Sequence, residues 1–377
     1  MKLKKLSALL LSGAMCVSVA ACGGGGGNAT PTPAPAGSDA PTESGAPAAS
    51  DLSVSVFYYN FSDAFISNVR SEMDAQFQAI GITPINQDGN TNQGTQIDQI
   101  TTAIANGANV LVVNAVEASA DETTQSIVES ARTAGIPVIF FNREVSDEVI
   151  NSYDLAAFVG TDPAEAGHMQ GQMIGNYLVE NYDAVDLNGD GVISYVMLKG
   201  QENNPEAEMR TQYSVEDANA ILTENGYPEL AYYDSSAATQ YLVDPNGSWS
   251  AAAALDHMTT VLSAHSEANG NMVELVIANN DDMGLGAITA LQTAGYNNGE
   301  GTTTIPVFTV DGLQGIVDAI NAGTATGAVG QSASGLASAV VTLVQNYQAD
   351  GDLMSNTEGM NVDPACAKIR VPYTTVS

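Results

Sequence analysis

The feature that most constrains this chain is the alternation, beyond residue 51, of short apolar runs with longer stretches of helical periodicity. Apolar, β-branched runs recur at 52–59, 110–114, 136–142, 157–160, 193–198, 275–279 and 305–310. Between the first two runs, Phe65, Val69, Met73 and Phe77 are spaced as one face of a helix. Strands that are apolar on both faces are typical of parallel sheets covered by helices. The pattern predicts an α/β fold with two doubly wound parallel sheets.

Polar residues stand at the ends of several predicted strands. The positions are Tyr59 and Asn60 with Asp63 nearby, Asn114, Asn142, residues 279–281 and Asp311. Ligands of open α/β sheets bind beyond the carboxyl ends of the strands. One such residue alone would indicate only a turn or a helix cap, but their repetition predicts a shared ligand cleft.

The first fifty residues have the features of an export and anchoring signal. Residues 1–21 combine a lysine-rich start, a short apolar stretch and small residues before Cys22, which predicts a lipoprotein signal peptide. The alternative is a plain signal peptide with an incidental cysteine. Residues 22–50, rich in Gly, Pro, Ala, Thr and Ser, predict a disordered linker behind a lipid on Cys22. The protein is therefore expected outside the cytoplasm, anchored to the cell membrane, and periplasmic if an outer membrane exists.

Charge and cysteine content exclude several classes of protein. Lys and Arg total 10 against 43 Asp and Glu, giving a net charge of −33. Such a field repels phosphate backbones, so nucleic-acid binding is excluded. Only Cys366 lies beyond the predicted anchor, which leaves no disulfide framework and no cysteine-rich zinc site.

Six segments together resemble one family of binding proteins. They are residues 138–142, 159–162, 186–191, 275–281, 306–311 and 370–373, in that order. With them the body resembles the galactose/glucose-binding proteins of bacterial ABC sugar transporters, in the type I periplasmic-binding-protein fold. The resemblance implies two lobes joined by a three-stranded hinge. We expect lobe 1 at 51–135 plus 331–360 and lobe 2 at 136–330 plus 361–377.

The same resemblance implies a set of sugar-binding residues. Phe65 and Trp249, the only tryptophan, would stack on the two faces of a pyranose, although Phe65 also fits a core position of its helix. The polar contacts carried over are Tyr59, Asp63, Asn114, Arg210, Asn280 and Asp311. Carboxylates, amides and a guanidinium suit the donors and acceptors of ring hydroxyls.

Three positions depart from the family pattern. Asn204 and Glu206 stand where the family usually has histidine and aspartate, and Gln331 stands in place of an asparagine. Glu206 and Gln331 are each one methylene longer, so they fill more of the cleft. A shifted pose, or a smaller or differently substituted sugar, is therefore expected.

Residues 186–194 predict a calcium loop. Asp186, Asn188 and Asp190 with Gly191 match the first half of an EF-hand loop, with a backbone carbonyl expected from Val192. The resemblance supplies the distant carboxylate from Glu274, and Ser194 would contact the ion through water. The alternative is a metal-free Asp/Asn/Gly turn.

The sequence thus predicts a non-enzymatic receptor that captures a galactose- or glucose-like monosaccharide and delivers it to an ABC transporter permease. A chemosensory receptor is a possible further partner. Two alternatives stay open: an exported carbohydrate-active enzyme using two of Asp63, Glu206 and Asp311 as a carboxylate pair, and a binding protein for a pentose or a non-sugar ligand.

Overall fold

The computed structural model describes residues 52–377. The predicted signal peptide, the lipid on Cys22 and the predicted linker concern residues outside this range. The strands are β1 (Val54–Tyr58), β2 (Ile85–Asp88), β3 (Val110–Val113), β4 (Val138–Phe141), β5 (Ala156–Gly160), β6 (Ser194–Lys199), β7 (Ala231–Tyr232), β8 (Leu242–Val243), β9 (Leu275–Ala278), β10 (Val307–Asp311), β11 (Gly327–Gly330), β12 (Lys368–Arg370) and β13 (Thr374–Val376). The helices are α1 (Ala64–Ala79), α2 (Gln93–Ala105), α3 (Asp121–Ala134), α4 (Asp147–Asn151), α5 (Pro163–Val185), α6 (Pro205–Glu224), α7 (Ala251–Ala264), α8 (Asp281–Thr293), α9 (Gln314–Asn321) and α10 (Ala333–Asp350).

The strands form two sheets, which confirms the predicted α/β class. The first sheet has the order β12-β5-β4-β3-β1-β2 and is parallel throughout. The second has the order β13-β11-β10-β9-β6-β7, with β8 also paired to β6. Its pairs are parallel except for the last strand, β13, which runs antiparallel to β11. We call each sheet with its helices a lobe.

Both faces of the first sheet are buried, as the continuous apolar runs predicted. Val54, Val56 and Tyr58 of β1 pack with α1 and α10, whereas Phe57 packs on the opposite side with α2 and α3. Val69, Met73 and Phe77 of the predicted stripe of α1 are fully buried, and Phe65, at its start, is 5 % exposed. Burying both faces leaves only the strand ends open to polar side chains.

The predicted lobe boundaries are wrong at two places. Strands β4 and β5 belong to the first sheet, so lobe 1 extends to residue 160 and does not end at 135. Strand β12 also joins the first sheet, and only β13 of the final segment joins the second. The error has a physical cause, because the same strand–helix rhythm continues across the change of lobe and leaves no compositional mark.

The chain crosses between the sheets three times, at 161–162, 331–332 and 371–373. Helix α10 follows the second crossing and returns to pack on α1. No helix within residues 52–377 has the length and apolar character needed to cross a lipid bilayer. The three crossings run beside the carboxyl ends of β5, β11 and β12, where the polar residues collect.

Candidate functional site

A cavity lies between the two lobes at the carboxyl ends of their strands. Its lining residues are Tyr59, Asp63, Phe65, Ile66, Asn142, Arg143, Asn204, Glu206, Arg210, Trp249, Asn280, Asp311 and Gln331. Apart from Asn114, every residue predicted from the sequence to bind sugar lines this cavity.

Asn114 instead lies beneath the cavity wall and is fully buried. Its side-chain oxygen accepts from Tyr59 N at 3.2 Å, and its amide donates to Phe141 O at 3.1 Å and Asn142 Oδ1 at 3.2 Å. These bonds tie together the ends of β1, β3 and β4. In this arrangement Asn114 positions lining residues and does not line the cavity itself.

Three lining residues are also the caps of helices that begin at the cavity. Asp63 accepts from Ile66 N at 2.8 Å, Asn204 from Ala207 N at 3.0 Å and Asn280 from Met283 N at 3.0 Å. Asp and Asn are favoured at this position because their oxygens satisfy free N–H groups of the first helical turn. Capping and cavity lining are therefore two roles of the same side chains.

Tyr59 and Arg143 form one side of the lobe 1 wall. The Tyr59 hydroxyl donates to Asp63, and the Arg143 guanidinium carbon lies 3.6 Å from the Tyr59 ring centre. Burial, followed by the nearby Asp63 charge, raises the pKa of Tyr59 well above its usual value. The phenol is therefore neutral at physiological pH and stays a donor to Asp63.

Arg143 and Asn142 are lining residues that the site prediction missed. Arg143 is only 4 % exposed, and its Nη1 donates to Val116 O at 2.7 Å while its Nη2 donates to Gln201 Oε1 at 2.7 Å. The second bond joins lobe 1 to lobe 2. The strand-end position of Asn142 was visible in the sequence, but an arginine after a strand is usually solvent-exposed and gave no signal.

Glu206 makes a second contact between the lobes. Its Oε1 accepts from the backbone N–H of Glu144 at 2.7 Å, while its Oε2 is buried without a hydrogen-bond partner. Burial raises the pKa of Glu206. The extra methylene that sets this residue apart from the family pattern thus gives the carboxylate its reach to lobe 1.

The Trp249 ring packs directly against Gly200. A Cβ on Gly200 would meet Trp249 Cδ2 at 2.1 Å, so the ring occupies the space that a side chain there would need. Asn280 Nδ2 donates to Trp249 O at 3.1 Å, and Asp244 accepts from the following Ser250 N at 2.9 Å. The loop is thus shaped to present one aromatic ring to the cavity.

Three lining residues have backbone conformations with positive φ. Asn142, Trp249 and Asp311 have φ values of 66°, 57° and 132°, a region that residues other than glycine seldom occupy. Each such conformation costs on the order of 1–3 kcal/mol, which the surrounding structure must offset. Residues held in this way cluster at functional sites.

Four buried polar atoms of the lining lack a hydrogen-bond partner. They are Glu206 Oε2, Arg210 Nε, Trp249 Nε1 and Gln331 Oε1. Leaving a buried polar group unpaired costs about 1–3 kcal/mol, so the four atoms favour a ligand that can pair with them. Two of the atoms are donors and two are acceptors, which matches the dual character of hydroxyl groups.

The predicted calcium loop is ordered by its own carboxylates. Asp186 accepts from Gly189 N at 2.7 Å and Gly191 N at 2.9 Å. Glu274 accepts from Asn188 N and Ser194 N, each at 2.9 Å. Burial raises the pKa of Glu274. These bonds place Glu274 beside Asn188 and Ser194.

The loop fits calcium in the chemistry of its donors, since all six predicted ligands offer oxygen. Their arrangement differs from a formed ion site, because Asn188 Oδ1 accepts from Met272 N at 2.9 Å and its Nδ2 donates to Met272 O. Within residues 52–377 no three His, Cys, Asp or Glu side chains come close enough to hold a metal. Calcium at Asp186, Asn188, Asp190, Val192, Ser194 and Glu274 stays a prediction.

Comparison with known proteins agrees with this architecture. The sequence model of the periplasmic binding protein domain matches residues 54–352. The chain is 34 % identical over 334 residues to the D-galactose/methyl-galactoside binding periplasmic protein of Haemophilus influenzae, covering 88 % of this chain and 92 % of the relative. It belongs to the periplasmic binding protein family.

More distant relatives share the fold with different ligands. A xylitol-binding protein of Mycolicibacterium smegmatis is 26 % identical and covers 85 % of this chain and 73 % of its own. A solute-binding protein of an ABC transporter from Clostridium phytofermentans, solved with β-D-glucose, superposes with a TM-score of 0.66 at 20 % identity, covering 86 % of this chain and 94 % of that one. These comparisons confirm the predicted type I binding-protein fold.

The first prediction concerns the seat of Trp249. Gly200→Ala should displace the ring, so the emission of the only tryptophan shifts to longer wavelength as the ring becomes hydrated. Gly315→Ala is the matched control, because its new Cβ would meet only the flexible end of Leu285 at 3.2 Å. An unchanged emission spectrum in Gly200→Ala would contradict this placement of the ring.

The second prediction concerns pH. Burial raises the pKa of Asp281, beside Asp311, to about 7, although Thr309 Oγ1 and Leu313 N donate to it. Because folding raises the pKa of this carboxyl, its protonated form stabilises the folded protein. This contribution is complete below the unfolded pKa of about 3.9 and is lost as the pH rises through 7. Asp281 therefore lowers the free energy of unfolding by at most about 1.4 kcal/mol per pH unit between pH 5 and 7.

Asp281→Asn should reduce this slope, because the amide does not titrate. Urea unfolding at pH 5, 6, 7 and 8 measures the slope in both proteins. Equal slopes for the wild type and the variant would show that Asp281 titrates normally.

Proposed function

We propose that the protein is a lipid-anchored, extracytoplasmic receptor that binds a neutral hexose of the galactose or glucose type in the interlobe cavity. Family membership makes it a sugar-binding component of an ABC transporter. The observation that carries the choice of ligand is the set of four unpaired buried polar atoms in a cavity that also has Phe65 and Trp249 in its wall.

The chemistry of the lining suits an uncharged polyol. The two aromatic rings offer apolar faces to the C–H surfaces of a sugar. Asp63, Glu206 and Asp311 offer acceptors, and Arg210 and Trp249 offer donors. Arg210 uses Nη1 and Nη2 on Asn279 O and the Tyr373 hydroxyl, which leaves Nε as its unpaired donor for a ligand.

The three departures from the family pattern limit where the sugar can bind in the cavity. Glu206 reaches across to lobe 1, Asn204 caps α6, and Gln331 Nε2 donates to Asp311 Oδ1 at 2.7 Å. Each of these side chains therefore already makes a hydrogen bond within the protein. We infer that the sugar sits against Glu206 Oε2 and Gln331 Oε1, the two acceptors left without partners.

Delivery to the membrane follows from the same proposal. The lipid on Cys22 keeps the receptor at the membrane surface, and residues 22–50 give it reach toward the permease. A chemosensory receptor would be a second partner of the sugar-bound form. We propose a non-catalytic role, because the relatives are binding proteins. Release of galactose from an aryl galactoside would favour the exported enzyme instead.

The third prediction tests the ligand by calorimetric titration of the full chain with galactose, glucose, ribose, xylose and arabinose. We expect one-to-one binding of a hexose, weakened about 10- to 100-fold in Asp63→Asn, which keeps the helix cap but removes the charge. Asp88→Asn is the matched control, because Asp88 also accepts from backbone N–H groups and does not line the cavity.

Two results would contradict this assignment. Preferential binding of a pentose would show that the ligand is a pentose and not a hexose. An absence of heat with every sugar would move the search to non-sugar ligands.

The fourth prediction concerns calcium, which we propose as a structural ion held by the loop 186–194 with Glu274. An ion that binds only the folded state stabilises it by about 4 kcal/mol at a thousandfold excess over its dissociation constant. Calcium at 1 mM should therefore raise the melting temperature relative to a chelator, and Asp186→Asn should abolish the difference. Magnesium is the control ion. Identical melting with calcium and with chelator would leave the loop as a metal-free turn.

A further inference from the structure

Two of the three crossings are joined by a pair of buried hydroxyl groups. Thr161 lies in the first crossing and Tyr373 in the third, and they are 2 % and 6 % exposed. Their oxygens Oγ1 and OH are 2.8 Å apart. We call these two groups the hinge hydroxyl pair. They bind segments 212 residues apart in sequence at the place where the lobes are connected.

The Tyr373 hydroxyl also contacts Arg210, a lining residue of the cavity. Arg210 Nη2 donates to the Tyr373 hydroxyl at 3.1 Å, and Arg210 Nη1 donates to Asn279 O at 2.8 Å. Burial raises the pKa of Tyr373, which keeps the phenol neutral and able to hydrogen-bond both neighbours. The third nitrogen of the guanidinium, Nε, is one of the four unpaired lining atoms.

Backbone and ionic contacts hold the same two crossings in register. Val371 N donates to Gly160 O at 2.7 Å, and Arg370 Nη1 donates to Thr161 O at 2.8 Å. Arg370 is itself fixed by Glu144, the residue whose N–H contacts Glu206. A rotation of one lobe on the other therefore acts directly on the surroundings of Thr161 and Tyr373.

We propose that Tyr373, supported by Thr161, is a positioning residue that couples the cavity guanidinium of Arg210 to the interlobe crossings. The inference rests on the proposed function. A ligand oxygen bound by Arg210 is then held by a group whose orientation is fixed at the hinge. Because a guanidinium is planar, its free Nε and the Nη2 held by Tyr373 keep one fixed geometry.

The test removes single hydroxyl groups from the full chain and measures galactose and glucose affinity by calorimetry. Tyr373→Phe should weaken binding about tenfold and Thr161→Val about threefold. The double variant should be no weaker than Tyr373→Phe, because both changes break one chain of contacts. Tyr153→Phe is the matched control, since its hydroxyl donates to Ile136 O at 3.1 Å inside lobe 1.

A second readout separates positioning from loss of stability. Small-angle scattering should show a smaller decrease in radius on adding sugar to Tyr373→Phe than to the wild type, at a temperature where both are folded. Wild-type affinity and an unchanged radius decrease in Tyr373→Phe would overturn the inference. Multiplicative losses in the double variant would also overturn it, because the two hydroxyls would then act separately.

If the proposed function is wrong, the experiment gives a different result. In that case the wild-type chain binds neither sugar. The hinge claim is then decided by scattering from the ligand-free proteins, where Tyr373→Phe should still change the radius relative to wild type and Tyr153→Phe should not. An unchanged radius in Tyr373→Phe would overturn the inference.

Discussion

The buried guanidinium of Arg210 is the group on which most of the site depends. A charge removed from water needs partners, and Arg210 finds them in Asn279 O, the Tyr373 hydroxyl and the nearby Asp311 carboxyl. These partners come from the residue after β9, from the third crossing and from the end of β10. One cation thereby fixes the positions of three chain segments that are far apart in sequence, and it keeps one N–H directed at no protein acceptor.

Most of the few cationic side chains beyond residue 51 are buried and paired, as Arg210 is. Seven of the 10 Lys and Arg residues lie beyond residue 51. Four of these seven, Arg143, Lys199, Arg210 and Lys368, are less than 5 % exposed. Each is paired with carbonyl or carboxylate oxygens. The scarce cations therefore stabilise the cleft, the hinge and the strand ends, and the outer surface is left acidic, which favours solubility.

Much of the fold could be predicted from the sequence, because seven strands are continuous apolar runs. The missed strands gave weaker signals: β2 reads Ile-Asn-Gln-Asp, β11 is half glycine, and β7, β8, β12 and β13 have two or three residues. Five of the 13 lining residues were predictable as polar groups at or near strand ends, and six more were implied only by the resemblance to a known family. Arg143 and the inward turn of Asn114 depend on contacts between elements, which no local pattern encodes.

The most direct measurement of the central claim is a crystal structure of the protein with a bound hexose. We expect one sugar in the interlobe cavity, with its hydroxyls within hydrogen-bond distance of Glu206 Oε2, Arg210 Nε and Gln331 Oε1. Its ring should lie against Phe65 or Trp249. A sugar bound elsewhere, or one that leaves these atoms unpaired, would contradict the account.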